Sequence, residues 1–250
     1  MVKIVLTPEW FLGSDVLIEA FSLIVLLTFM ILAFRYYRMN KNKNVLYLGT
    51  GFGVIFLAEI ATLLTKLVLF YDIGPSRAIG AALISSQLVG SVDIFYYLGF
   101  FFYRLLTLLG LYIIYRLPQE KKNSIGDYVL MIYFIVVSAL LGDELYYLFH
   151  ITTLVLLVLI VESYYNVYKK NRFFNTKILI TAFSLLALSQ LIFVLSSINF
   201  MYVLGDVIEL ISYSIFLALI IRIWTHGKEK KPYEHNIRHA GNSPRKGRKH

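Results

Sequence analysis

Charged side chains recur inside stretches of sequence that are otherwise apolar, among them Glu19, Glu59, Lys66, Arg104, Asp206 and Glu209. Any chemistry the chain performs must draw on them. An ionised group held at the centre of a bilayer costs roughly 2.5–3.5 kcal/mol on insertion scales, so each should face other helices and meet a partner. Their spacing supports this. Glu59 and Lys66 share one face of a helix with Thr62, and Asp15, Glu19 and Ser22 share another. Asp93, Tyr97, Phe100, Arg104 and Thr107 advance by alternating steps of four and three, as do Tyr202, Asp206, Glu209 and Tyr213. Glu59 lies about fourteen residues from the preceding loop and Arg104 about eleven from the start of its own run, which places both near mid-depth at about 1.5 Å per residue. An ion pair between them is expected. The stripes predict a polar cavity nearer the outer side, lined by the first, second, third and seventh helices. Its ligand-binding residues would be Glu19, Glu59, Lys66, Arg104, Tyr202, Asp206, Glu209 and Tyr213. The alternative is that the same polar groups fix helix register, at about 0.6 kcal/mol each.

This set recognises charge or exchanges protons more readily than it makes bonds. A retinal Schiff base needs a lysine in the last helix, which has none. His150 is the sole histidine within a span, so neither an intramembrane zinc hydrolase nor a Ser-His-Asp set is credible. The chain has no cysteine, which excludes disulfides and thiolate chemistry. Gly49, Gly51 and Gly53 lack the preceding strand of a dinucleotide fingerprint and read as a close helix contact. His150 and Gln190 read as packing groups, and Glu162 as a side chain reaching toward Lys169 or Lys170. Pro118-Gln119 occurs once, in a loop, and does not make a repeat-based transporter. No catalytic residue, metal or cofactor is expected.

The elements that must position these residues follow from composition. Of 250 residues, 58% are apolar and only 16% charged, where a soluble domain has nearer a quarter charged. Mean hydropathy is +0.70. Seven apolar runs, near 14–37, 45–70, 93–116, 127–142, 145–168, 177–198 and 202–224, are long enough to cross a hydrocarbon core of about 30 Å, the fourth being the shortest. The expected fold class is an all-α integral membrane protein, a seven-transmembrane helix bundle occupying residues 1–225 of a multi-pass cell-membrane protein. Trp10 and Phe11 would anchor it at the outer interface. Residues 75–92, apolar but rich in small side chains, read equally as an outer re-entrant segment or as a tilted extension of the third helix.

Loop charge sets the orientation. The first, third and fifth loops hold eleven Lys or Arg, against Arg77 alone in the second, fourth and sixth. The positive-inside rule therefore places the N-terminus outside and the C-terminus in the cytoplasm, as an odd number of spans requires.

Residues 226–250 break the apolar pattern with eight basic residues, two prolines and three glycines, a composition that cannot bury a core and reads as a disordered basic tail. Lys228, Lys230, Lys231, Arg238, Arg245, Lys246, Arg248 and Lys249 would make its contacts. Anionic lipid headgroups, a cytoplasmic protein partner and nucleic acid are the candidates, with Tyr233 as the tail's one aromatic side chain weakening the last. His235 and His239 stand four apart but have only Glu234 beside them, too little for a metal.

The last span, from Met201-Tyr202-Val203-Leu204-Gly205-Asp206 through Glu209-Leu210 and on to Arg222 and Trp224, resembles the closing helix of prokaryotic seven-helix sensor domains, the membrane input modules of histidine kinases and related signalling proteins. The resemblance spans about 24 of the 250 residues, and no kinase or cyclase follows it. It implies a stand-alone sensor that signals through another polypeptide, and it assigns no ligand residues. The expected function is therefore a non-catalytic, receptor-like membrane sensor that binds a small ligand or lipid from the outer side. A proton-coupled or small-solute transporter and a membrane scaffold that recruits a partner through its tail are the alternatives. Abundant Tyr, Ile and Lys with no Cys suggest a thermophilic or archaeal source.

Overall fold

The computed structural model describes residues 14–41, 43–70, 92–118, 125–142, 145–195 and 199–229. The expectations for Trp10, Phe11, the 75–91 stretch and the tail beyond Glu229 lie outside them. Seven helices account for nearly all of the described chain: α1 (Ser14–Asn40), α2 (Lys43–Phe70), α3 (Val92–Arg116), α4 (Ile125–Leu141), α5 (Tyr146–Asn171), α6 (Phe174–Val194) and α7 (Asn199–Glu229). Each apolar run folds as a helix because a backbone removed from water must satisfy its own hydrogen bonds. Boundaries fall within a few residues of the sequence reading. α7 differs most, continuing past Thr225 to Glu229, so the first residues assigned to the tail prolong the last helix.

Six of these helices are long and apolar enough to cross a membrane, and the chain is a multi-pass membrane protein by that measure. α4 is the exception. Its 17 residues rise about 25 Å, short of a core of about 30 Å.

The helices pack in the cyclic order α1, α2, α3, α5, α6, α7 and back to α1, with α4 outside this ring against α3 and α5. Neighbouring contacts fix an up-and-down arrangement. Thr65 faces Gly99 while Gly51 faces Gly110, so α2 and α3 run antiparallel. Two helices at the same end of the bundle finish alike: the N–H groups of Lys41 and Arg172 each donate to the carbonyl four residues back, at 2.7 Å, with φ of 53° and 50°. That left-handed terminal residue reverses the chain within two residues before α2 and before α6.

The apolar side chains divide between the ring's inside and its outside. Phe29, Phe52, Phe183 and Phe216 come from four helices and close on one another, with Phe29–Phe52 centroids 4.1 Å apart and Phe183–Phe216 at 5.0 Å. Phe52 stacks on Phe183 at 6.3 Å. Outside, α4 exposes Val129, Leu130, Ile132, Tyr133, Phe134 and Leu140. A large exposed apolar surface is what a lipid solvent permits and water does not.

Candidate ligand cavity

The ring encloses a small cavity of about 30 Å³, counted as room open to the centre of a water molecule. Leu26 reaches it from α1; Phe52, Ile55 and Glu59 from α2; Tyr103, Thr107 and Leu111 from α3. The rest of the lining is Phe149, Thr153 and Leu157 of α5, Phe183, Leu186 and Gln190 of α6, and Glu209 and Tyr213 of α7. The four-phenylalanine cluster contributes Phe52 and Phe183 to this lining, so it closes the cavity toward the end that carries the basic turns.

Three of the eight sequence-predicted ligand residues, Glu59, Glu209 and Tyr213, line the cavity. Glu59 is 6% exposed, and among the described residues no hydrogen bond or ion pair reaches its carboxyl. The strongest charged influence on it is Glu209, followed by Glu19, Lys66 and Asp206. The Tyr213 hydroxyl, one turn along α7, donates to the Glu209 carboxylate. Acidic residues of α1, α2 and α7 thus converge on one side of the ring, as the stripes imply.

The other five lie around the cavity rather than in its wall. Glu19 and Lys66 form an ion pair across α1 and α2. Tyr202 packs on Phe193 with centroids 5.5 Å apart, and Asp206 acts on Glu59 through its charge. Arg104 corrects the sequence reading. It is buried, but the expected pair with Glu59 does not form; its side chain lies against Gly142, where an added Cβ would come within 3.0 Å of Cδ and 3.2 Å of Nε. Tyr97, placed on the same polar stripe as Arg104, is 44% exposed, so the stripe does not face the interior along its whole length.

Sequence reasoning missed Tyr103 and the contribution of α5 and α6. Tyr103 stands between Gly99 and Gly110, the two glycines that let α3 approach α2, and glycine spacing is the signal that could have found it. The sequence reads His150 and Gln190 as packing groups. His150 Nδ1 lies 2.7 Å from Gln190 Oε1, so the ring nitrogen donates to the amide oxygen. Gln190 also borders the cavity, while His150 sits in an aromatic chain between Tyr146, Phe149 and Phe193.

Two buried hydroxyls near Glu59 are unmatched among the described residues: Thr62 Oγ1, one turn along α2, and Thr107 Oγ1 in the cavity wall. Other interior hydroxyls are satisfied, Ser212 Oγ donating to the Ala182 carbonyl across α7 and α6 at 2.7 Å and Thr153 Oγ1 to Phe149 at 2.9 Å. A buried polar atom with no partner costs about 1–3 kcal/mol, so a bound water or ion would be stabilised there. At the basic end, the Arg222 guanidinium lies 4.0 Å from the centre of the Phe174 ring and ties α7 to α6. Comparison with known proteins yields no relative: no family model, no curated protein and no solved structure matches the chain.

Proposed function

We propose that this chain is a non-catalytic seven-helix sensor of the cell membrane. A small polar ligand enters the interior cavity and shifts the packing of α1, α2 and α7, and a cytoplasmic partner reads the change at the basic end. The observation that supports this most directly is Glu59: a buried carboxyl with no hydrogen-bond or ion-pair partner among the described residues, facing a cavity bounded by six helices. A ligand that binds one helix arrangement more tightly than another biases the bundle by that difference in affinity. Room for about two waters favours a small ligand over a lipid. In this reading α4 is a seventh, short span, the N-terminus is outside, and the basic turns after α1, α3 and α5 lie in the cytoplasm with the tail. The likeness of α7 to the closing helix of prokaryotic sensor domains supports the same assignment.

The test is capture of the full chain, and of a chain stopped after Gly227, from native membranes, together with proteoliposome flux. The sensor reading expects a soluble signalling protein that is lost with the tail, and no flux. Glu59-dependent proton or solute movement would replace it with the carrier reading. Absence of both flux and a tail-dependent partner would leave the interior charges as helix glue and overturn the sensor.

A further inference from the structure

The cavity wall concentrates negative charge with little to offset it. Glu19 is matched by Lys66, and Glu209 accepts a hydrogen bond from Tyr213, but nothing among the described residues meets the Glu59 carboxyl. Glu59 and Glu209 line the same space from α2 and α7, which both pack on α1, and most of the remaining lining is apolar. Two carboxylates that face one small, largely apolar space are stabilised as anions by a counter-charge placed between them. Thr107 Oγ1, buried and without a partner among the described residues, faces the same space from a third helix.

The donors available are oxygens: two carboxyls, the Thr107 and Thr153 hydroxyls and two phenols, with the Gln190 oxygen already accepting from His150. Oxygen donors select hard cations. At about 30 Å³ the space holds about two waters. That is too little for an organic ammonium ion, and too little for a divalent ion that keeps several of its waters. Among the described residues no three acidic or imidazole groups converge as a divalent site would need.

We infer that Glu59, Glu209 and Thr107 form a binding site for a single dehydrated alkali cation of the sodium class, resting on the sensor reading for what the binding does. Thr107 supplies a neutral ligand and the two carboxylates supply the charge. Proton competition would act through the titratable groups that surround Glu59 on every side: Glu19, Lys66, Tyr103, Asp206, Glu209 and Tyr213.

The experiment uses the purified full chain in detergent and measures retention of radioactive sodium by scintillation proximity, with choline chloride holding ionic strength constant. Saturable retention that unlabelled sodium chloride displaces and choline does not is the expected result. Glu59→Gln should weaken it by about tenfold or more, and Thr107→Val in the same direction by a smaller factor, as loss of a supporting ligand does. Glu162→Gln, which lies outside the cavity, should leave it unchanged. Melting temperature in choline shows that each variant is folded before its retention is read. No saturable retention in the folded wild-type chain overturns the site, as does retention that survives Glu59→Gln, stabilisation by acid alone, or stabilisation by calcium or magnesium alone. Labelling of a cysteine placed at Arg172 separates the two readings. If sodium binds and labelling there does not respond, the sensor reading fails and the site stands; if sodium does not bind, the site fails and the sensor is judged on partner capture.

Discussion

Glu19 on α1 and Lys66 on α2, forty-seven residues apart, form an ion pair beside the cavity, with side chains 16% and 13% exposed. It ties the first two helices together just beyond Glu59, and it leaves Lys66 committed to Glu19 rather than to Glu59. The pair therefore places compensated charge beside Glu59 as well as holding two helices in register. Removing one member of such a pair strands the other, at about 3–5 kcal/mol for a fully buried pair and less where solvent reaches. Lys66→Met and Glu19→Gln should each lower the unfolding temperature. The double substitution should lower it by less than the two singles summed, because no stranded charge remains. A double-mutant cycle on unfolding in detergent measures this, and strict additivity would show that the pair contributes no coupling.

Why the sequence suggests Glu59–Arg104 and the structure forms Glu19–Lys66 is a matter of rotation rather than depth. Counting residues along an apolar run gives depth at about 1.5 Å each, and Glu59 and Arg104 are indeed both central. Counting does not give the angle of a helix about its axis relative to its neighbours. On α3 that angle is set by Gly99 and Gly110, eleven residues and about three turns apart, which both face α2. Tyr103 falls on nearly the same face and reaches the cavity, while Arg104, about 100° further round, points toward Gly142 at the end of α4. The helices were legible because each is a continuous apolar run. The acidic side of the cavity was legible because Glu59, Glu209 and Tyr213 are polar groups with helical spacing. The wall from α5 and α6 was not, since Phe149, Leu157, Phe183 and Leu186 are apolar residues indistinguishable in sequence from those that face lipid.

The glycine contact itself can be tested. A Cβ on Gly110 would lie 2.5 Å from Ile55 Cγ1 and 2.8 Å from the Gly51 carbonyl oxygen, and a backbone atom cannot swing aside. Gly110→Ala should therefore force α2 and α3 apart and destabilise the bundle by about 1–3 kcal/mol, the usual cost of overpacking. A Cβ on Gly53 would instead press at 2.8 Å on Met30 Sδ, a flexible side chain. Gly53→Ala should cost much less. Equal melting temperatures for the two variants would remove the argument that close backbone approach holds α2 to α3.

His150 and Gln190 allow a separate test of structural polarity. Their hydrogen bond is buried, with the two residues 8% and 7% exposed. His150→Phe fills the space among Tyr146, Phe149 and Phe193 but leaves Gln190 Oε1 without its donor, at about 1–3 kcal/mol. His150→Phe combined with Gln190→Leu removes both polar partners and should recover most of that loss. If the double variant is no more stable than the single, the imidazole does something other than satisfy the amide.

The phenylalanine cluster beneath the cavity makes the last prediction, and the absence of cysteine from the chain makes it practical. Phe52 is 2% exposed, touches Phe29, Phe183 and Phe216, and forms part of the cavity floor. Truncating it removes a wedge between the cavity and the end of the bundle that holds Arg35, Arg38 and Lys41. Phe52→Ala should destabilise the protein by about 3–5 kcal/mol if the neighbours do not collapse into the gap. It should also admit water along the path the ring had blocked. A cysteine introduced at Thr107 would be the sole thiol in the chain, and its reaction with a small water-soluble reagent reports whether water reaches the cavity. The expected outcome is slow modification of Thr107→Cys alone and markedly faster modification in combination with Phe52→Ala. Phe29→Ala, farther from the lining but in contact with Phe52 at 4.1 Å, should have a smaller effect. Rates that do not differ would mean that the cluster packs the ring without separating the cavity from its basic end.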